Sequence, residues 1–283
     1  MNRAETEAPP ESPPLARRIV QEDGVVVEHE NFQGDYRLLR LQAPAITPLV
    51  QPGQFLHLKA PHAAESLLRR PFSIYQAADG VVSILYKDIG RGTRAMTFLR
   101  PGETLNLLGP LGTGYPLEDR GTFPVLVAGG YGMAALYLLA KRHPNRGIAF
   151  FGGATPGDIL CVPEFEALGW EVRVTTIDGG LGMQGKVTVA IDAWLAEIDE
   201  TVRPEFYACG PNAMLKAVGD HALARDALAW LSMDRNMGCG VGACLTCVQK
   251  LHTEEGGWTW ARVCREGPVF ETRRILWDEE KAT

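Results

Sequence analysis

The sequence predicts a multidomain chain: an antiparallel β-barrel, an α/β domain built on a parallel sheet, and a small C-terminal module held together by metal. Three observations carry that reading. From about Leu15 to Pro116, short alternating strands are broken by frequent glycine and proline. From Phe123 to about Met233, continuous apolar runs alternate with helical stretches, the pattern of strands buried on both faces. Four of the six cysteines then fall between Asp234 and Thr283, a segment too short for a core of its own.

Bulk properties set the frame. The chain has 283 residues, 46% hydrophobic and 22% charged, enough for two domains and a small third. Its 28 basic and 34 acidic residues give a net charge of −6, which leaves no basic footprint for nucleic acid. Residues 1–14 are polar and proline-rich and read as a disordered tail without the apolar core of a secretory signal. The uncharged run Gly121–Ala140 has the length of a membrane helix, but Pro124, Gly129, Gly130 and Gly132 break it. A strand, a tight turn and a helix start account for the same residues. A soluble, cytoplasmic chain with no membrane partner is expected, its thiols reduced rather than joined in disulfides.

The expected barrel spans 15–118, with strands at Gly24–Glu28, Asp35–Leu41, Gln54–Leu58 and Val81–Tyr86. Its sharpest stretch is Arg70-Pro71-Phe72-Ser73. Arg70, beside a proline-stiffened strand start, can clamp a pyrophosphate bidentately. Phe72 can lie against a planar ring, and Ser73 can hydrogen-bond a ring nitrogen. Leu85-Tyr86-Lys87 follows, then Gly90-Arg-Gly92-Thr93, whose amides can cradle phosphate at a helix start with Thr93 capping Arg94–Leu99. Each piece alone is common in strand edges and cores. Their order, ahead of Leu108–Gly114 and a parallel sheet, gives them weight.

The expected α/β domain spans 119–233. Strands are read at Pro124–Ala128, Gly147–Phe151, Glu171–Thr176, Glu205–Cys209 and Ala229–Met233, and helices at Met133–Arg142, Val187–Glu197 and Ala213–Ala224. Gly129-Gly130-Tyr131-Gly132 ends the first strand and opens a helix, where a dinucleotide pyrophosphate can sit. The spacing departs from G-x-G-x-x-G, and a plain structural turn fits the same glycines equally well. A second glycine turn stands at Gly152-Gly153. Cys209 reaches the carboxyl end of the sheet, as either a small buried apolar side chain or a nicotinamide contact. Asp178-Gly-Gly reads as a turn ahead of a ribose ligand. Cys161 is assigned to packing, and His57, His62, His143 and His221 show no ligand spacing.

The module at 234–283 carries Cys239, Cys244, Cys247 and Cys264 in the C-x₄-C-x₂-C…C arrangement of plant-type [2Fe–2S] sites. Gly238, Gly240 and Gly242 permit the dihedrals and close approach that wrapping such a group requires. A structural zinc site also uses four cysteines, but usually as two C-x₂-C knuckles, and here only Cys244 and Cys247 make one.

Taken in order, Arg70–Ser73, Gly92-Thr93, the Gly129-Gly130-x-Gly132 turn, Cys209-Gly-Pro and the terminal cysteines resemble the ferredoxin reductase superfamily with an appended iron–sulfur module. Within it, Met237–Cys247 followed by Val263–Phe270 is similar to the cluster signature of the electron-transfer subunits of the NAD-linked dihydroorotate dehydrogenase B family. Pro52–Leu58 and Leu108–Gly114 fit as well, so the resemblance covers about Ile19 to Phe270. It implies FAD on the barrel, contacted by Arg70, Pro71, Phe72, Ser73, Leu85, Tyr86, Lys87, Gly92 and Thr93. It also implies a [2Fe–2S] cluster on the four cysteines and NAD on the α/β domain, near Gly129, Gly130, Gly132 and Cys209. The implied partner is an FMN-containing dihydroorotate dehydrogenase catalytic subunit, in a heterotetramer of two chains of each kind. The implied role is electron transport from that partner through the cluster and FAD to NAD⁺, in pyrimidine (UMP) synthesis. Two other readings are a reductase for an oxygenase or hydrogenase-type system, which often carries its cluster in a differently ordered domain, and a zinc-stapled binding protein. Where the family usually has a small or β-branched residue and a proline-containing helix start, this chain has Tyr131-Gly-Met-Ala-Ala.

Overall fold

The computed structural model describes residues 18–59 and 68–277; the tail expected over 1–14 and His62 lie outside them. The first unit contains β1 (Val20–Gln33), β2 (Tyr36–Gln42), β3 (Phe55–Leu58), β4 (Arg70–Ser73), β5 (Gln76–Ala78), β6 (Val81–Lys87), the short helix α1 (Arg91–Met96) and β7 (Thr104–Leu111). Its strands form a seven-stranded antiparallel sheet in the order β4-β3-β7-β1-β2-β6-β5. Period-two alternation decides the faces. Leu39 and Leu41 point inward opposite Ile84 and Val82, while Arg40 between them points outward. Register shifts in β1 let the long strand bend. The sheet curls until β4 meets β6, where the Phe72 and Tyr86 rings stand edge to face at 5.9 Å.

The second unit runs β8 (Phe123–Gly129), α2 (Gly132–Arg142), β9 (Ile148–Gly153), α3 (Val162–Ala167), β10 (Glu171–Thr176), β11 (Met183–Gln184), α4 (Val187–Glu197), β12 (Pro204–Cys209), α5 (Asn212–Leu223) and β13 (Leu228–Ser232). Alternate residues of each strand go to opposite layers. Val125, Val127, Phe150, Phe206 and Ala208 pack with α4 and α5. Leu126, Ala128, Phe151 and Tyr207 pack with α2 and α3. Both faces are therefore apolar, as a parallel sheet covered on both sides requires. Helix α3 and strand β11 are too short to show a period and were not legible in the sequence. The strand order is β11-β10-β9-β8-β12-β13, with a further strand, β16 (Val269–Glu271), beyond β13. The chain winds outward from β8 in one direction and then returns to β12, so the switch point lies between β8 and β12. Ligands of open α/β sheets bind in the crevice at the carboxyl ends there.

The last region forms a hairpin of β14 (Val248–His252) and β15 (Trp258–Arg262), followed by β16 (Val269–Glu271). Strand β16 runs antiparallel beside β13 and extends the second sheet. Cys247, Val263 and Cys264 are buried in one core with Phe55 and Leu111 of the barrel and Val125 of the sheet. The module thus borrows its core from both larger units, which is how so short a segment packs.

The units are tied directly. The Tyr115 hydroxyl donates to the Ala208 carbonyl (2.9 Å), Arg142 Nη1 to the Val50 carbonyl (2.6 Å), and Lys87 Nζ lies 3.3 Å from Asp158 Oδ1. Far from the crevice, the fully buried Glu205 carboxylate accepts from Arg120 Nη1 (3.0 Å), Thr122 Oγ1 (2.6 Å) and Trp230 Nε1 (2.7 Å). Arg120→Ala removes the counter-ion of a buried charge, so unfolding stability should fall by about 3 kcal/mol in denaturant titration. A change under about 0.5 kcal/mol would show that the neutral donors suffice. Among the described residues, no helix is long and apolar enough to cross a membrane.

Candidate functional site

A cavity of about 260 Å³ opens between the barrel and the switch point. The barrel contributes Pro71, Phe72, Ser73, Leu85, Tyr86, Lys87 and Thr93, the sheet Cys209 and Gly210, and the C-terminal module Met237. Residues far apart in sequence thus face one another across a mostly apolar space. Arg70 flanks it. Its guanidinium covers the start of α1, and a Cβ on Gly92 would come within 3.2 Å of Arg70 Nε, so glycine is what admits the arginine there. Arg70 Nη1 donates to the Leu68 carbonyl at 2.8 Å.

The helix start differs from the one expected. It begins at Arg91 with Gly90 as its N-cap, so Thr93 lies inside the first turn rather than capping Arg94–Leu99. The Thr93 hydroxyl reaches back to accept from the Ile89 and Gly90 amides, both at 3.0 Å, and braces the loop. The physical reason is Gly90 itself. Its extended backbone supplies the cap geometry and leaves the hydroxyl free to tie the loop from within.

Cys209 ends β12 buried. Burial is the main cause that pushes its thiol up to about 12, so it stays protonated and is no nucleophile. Asp234 is also raised by burial, and the Tyr131 hydroxyl donates to its Oδ2 at 3.4 Å. Tyr86 is buried, with its hydroxyl 2.9 Å from His29 Nε2, and burial raises its phenol as well.

A second cavity of about 610 Å³ lies at the carboxyl ends of β8 and β9, lined by Gly129, Gly130, Gly152, Gly153, Lys186 and Pro211 among others. The three glycines of the first turn divide their work. Gly129 and Gly130 face this cavity, and Gly130 has φ +56. Gly132 does not line it. A Cβ there would stand 2.0 Å from the Cys209 carbonyl oxygen, so Gly132 is needed for α2 to pack against β12. Lys87 and Tyr131 line both cavities and form their common wall. Lys87 is held there by Asp158, whose carboxyl that ion pair keeps low against the opposing effect of burial. Asp178 makes the turn expected of it, its Oδ1 accepting from Gly180 N–H at 2.9 Å. Sequence reading did not single out Tyr36, Asp158 or Lys186; Tyr36 and Lys87 meet Asp158 only across the two units, for which no local pattern exists.

The four clustered cysteines form two neighbouring pairs. Cys239 Sγ accepts from the Ala243 amide (3.2 Å) and the Cys244 amide (3.4 Å), and Cys247 Sγ accepts from the Cys264 amide (3.4 Å). The Thr246 hydroxyl donates to Cys244 Sγ at 3.2 Å. Donors from Thr246 are the leading cause that brings the exposed Cys244 thiol down to about 6. Burial and then Cys247 push Cys264 up to about 12. Gly238 packs close beside these sulfurs: a Cβ there would lie 3.2 Å from Cys244 Sγ. Gly240 and Gly242 both have positive φ (+73 and +84). Among the described residues, no three Cys, His, Asp or Glu side chains converge as a single-ion site needs. Paired thiolates with backbone amides aimed at sulfur suit a two-iron group better than one zinc. A larger open groove, about 1400 Å³, runs past Cys264 and Trp260 between the module and Pro110, Gly112 and Thr113 of the barrel unit.

Comparison with known proteins agrees with this arrangement. Residues 234–276 match the family described as the iron–sulfur cluster binding domain of dihydroorotate dehydrogenase B. The chain is 39% identical over 245 residues to the dihydroorotate dehydrogenase B (NAD(+)) electron transfer subunit of Geobacillus thermodenitrificans, covering 84% of this chain and 91% of that one. The subunit of the same name from Geobacillus sp. WCH70 is 35% identical over 263 residues, covering 90% and 98%. Among solved structures, an NADH-dependent reduced ferredoxin-NADP oxidoreductase, studied for flavin-based electron bifurcation, superposes with a TM-score of 0.78 at 26% identity, covering 90% of each chain. The ferredoxin reductase of carbazole 1,9a-dioxygenase shares the fold, with a TM-score of 0.63 at 23% identity, covering 75% of this chain and 68% of that one.

Proposed function

Because the chain belongs to the family of dihydroorotate dehydrogenase B (NAD(+)) electron transfer subunits, we propose that it conveys electrons from an FMN-containing, dihydroorotate-oxidising partner to NAD⁺ in pyrimidine (UMP) synthesis. The observation that carries this is convergence. Met237, just ahead of the first clustered cysteine, lines the same cavity as Pro71, Phe72, Ser73 and Cys209. An iron–sulfur site, a flavin site and a nicotinamide approach would thereby meet at one place.

When bound, a [2Fe–2S] cluster carries electrons singly, and FAD, which handles one or two, couples that traffic to hydride exchange with NAD. The residues divide the remaining tasks. Arg70 and the loop at Gly92 and Thr93 would hold the flavin pyrophosphate, the guanidinium offering a bidentate fork. Pro71, Phe72, Ser73, Leu85 and Tyr86 would form the ring's walls, and the mostly apolar lining would limit water beside it. Gly129 and Gly130 admit a dinucleotide phosphate close to the backbone, and Lys186 adds positive charge there. Cys209, kept as a thiol, would contact the reacting rings without taking a proton away. Cys239, Cys244, Cys247 and Cys264 would ligate the cluster. Electrons enter from the module's outer surface, where Leu245, Trp258 and Trp260 are all more than half exposed. We place the complex in the cytoplasm as two chains of each kind, without nucleic acid or membrane.

Mixing the purified chain with its catalytic subunit tests the reading. Dihydroorotate-dependent NAD⁺ reduction should appear only with both present, and the chain alone should show flavin and iron–sulfur absorption. A colourless chain after reconstitution overturns it.

Tyr131 gives a second measurement. Its ring stands in the wall between the two cavities, where a nicotinamide must pass. Tyr131→Ala should lower KM for NAD⁺ about fivefold, roughly 1 kcal/mol, with flavin content unchanged. A raised KM would mean that the ring is a stacking platform instead.

A further inference from the structure

His57 is fully buried, and neither ring nitrogen has a hydrogen-bond partner among the described residues. Packing alone does not account for it, since an apolar side chain would fill the same space without burying two unpaired polar atoms. Its neighbours Leu56 and Leu58 point into the barrel core, so the period of two turns His57 out of the barrel. There the ring meets the cysteine loop. A Cβ on Gly240 would lie 2.5 Å from His57 Nδ1, and Gly240 is held at φ +73. The backbones of Cys239 and Arg69 face the ring without reaching hydrogen-bond geometry. On its other side, His57 pairs across β3 and β4 with Pro71, which lines the flavin-side cavity. An imidazole ring carries an N–H donor whichever nitrogen holds the proton, so the ring has one to give.

We propose that His57 is the barrel's positioning residue for the cluster loop: its ring N–H anchors the Cys239–Gly240 peptide when the four cysteines hold their [2Fe–2S] group, and so helps set that group's reduction potential. The inference rests on the iron–sulfur reading above and extends it to a residue of a different unit. A donor on the Cys239 carbonyl polarises the peptide it shares with the Gly240 N–H. Stronger N–H dipoles beside cluster sulfur stabilise the reduced form and raise the potential. The same contact ties the loop to the strand that flanks Pro71, and thus to the flavin wall.

The test uses the full chain with its cluster, titrated by EPR-monitored reduction and challenged with an iron chelator. His57→Leu should shift the reduction equilibrium about tenfold toward the oxidised form, 59 mV for a one-electron couple, and release iron about tenfold faster. His57→Asn, which keeps a donor near the Nδ1 position, should return both toward wild type. Unchanged potential and release in His57→Leu overturn the proposal, as does failure of His57→Asn to restore what His57→Leu loses. Should His57→Leu not fold, His57→Gln, with its N–H moved by one bond, is read against the same two outcomes. A wild-type chain without iron–sulfur absorption would instead refute the proposed function, which keeps the two failures apart.

Discussion

A Cys264→Ser chain is expected to purify with flavin absorption but without the iron–sulfur spectrum, and to lose dihydroorotate-dependent NAD⁺ reduction by more than about 100-fold. Cys264 is the one clustered cysteine outside the glycine loop, and it is 2% exposed. Its backbone amide donates to Cys247 Sγ, so it brings both a ligand and a fixed neighbour for another ligand. Serine preserves the shape and removes the soft thiolate that iron prefers. The control is NADH-driven reduction of a soluble dye, which draws on the flavin and nicotinamide sites alone. It should survive, because the cavities that would house them lie on the barrel and the sheet. Loss of both activities would point to misfolding. Retention of a full cluster signal would remove Cys264 from the ligand set.

The second large effect is expected at Arg70. Arg70→Ala should weaken FAD about 10–100-fold, which is the worth of a charge-assisted hydrogen bond to phosphate of about 1.5–3 kcal/mol. The chain should emerge pale in the flavin bands, and dye reduction should recover when excess FAD is supplied. Gly92→Val makes the same point from the opposite side. Even a Cβ there would crowd Arg70 Nε at 3.2 Å, and the branched side chain would push the guanidinium off the helix start. If Arg70→Ala keeps stoichiometric flavin through dialysis, the pyrophosphate is held elsewhere and the barrel assignment fails.

These two experiments rest on features of very different legibility. Cys239, Cys244 and Cys247 lie within one loop, and Arg70 to Ser73 within one strand. Covalent spacing alone brings such residues to a common group, so both motifs could be recognised before any fold was known. Alternation was equally informative. Leu39, Arg40 and Leu41 assign barrel faces, and the unbroken apolar runs at β8, β9 and β12 announce a sheet covered on both sides. Helix α3 lacked even that, being only six residues long.

What the amino-acid sequence determined by itself was local: the thiol spacing, the strand and helix periods, the glycines at turns, and through them the family. What only the tertiary structure decided was every relation between units. At Gly132 the structure shows the gap through which the Cys209 carbonyl approaches α2. Tyr131 became a wall shared by two cavities, Lys87 met an acid from a distant loop, and His57 came to rest beneath the cysteine loop. The physical reason is range. Backbone geometry dictates what residues a few positions apart can do together, whereas contacts between remote segments arise only when burial of apolar faces brings the units into register.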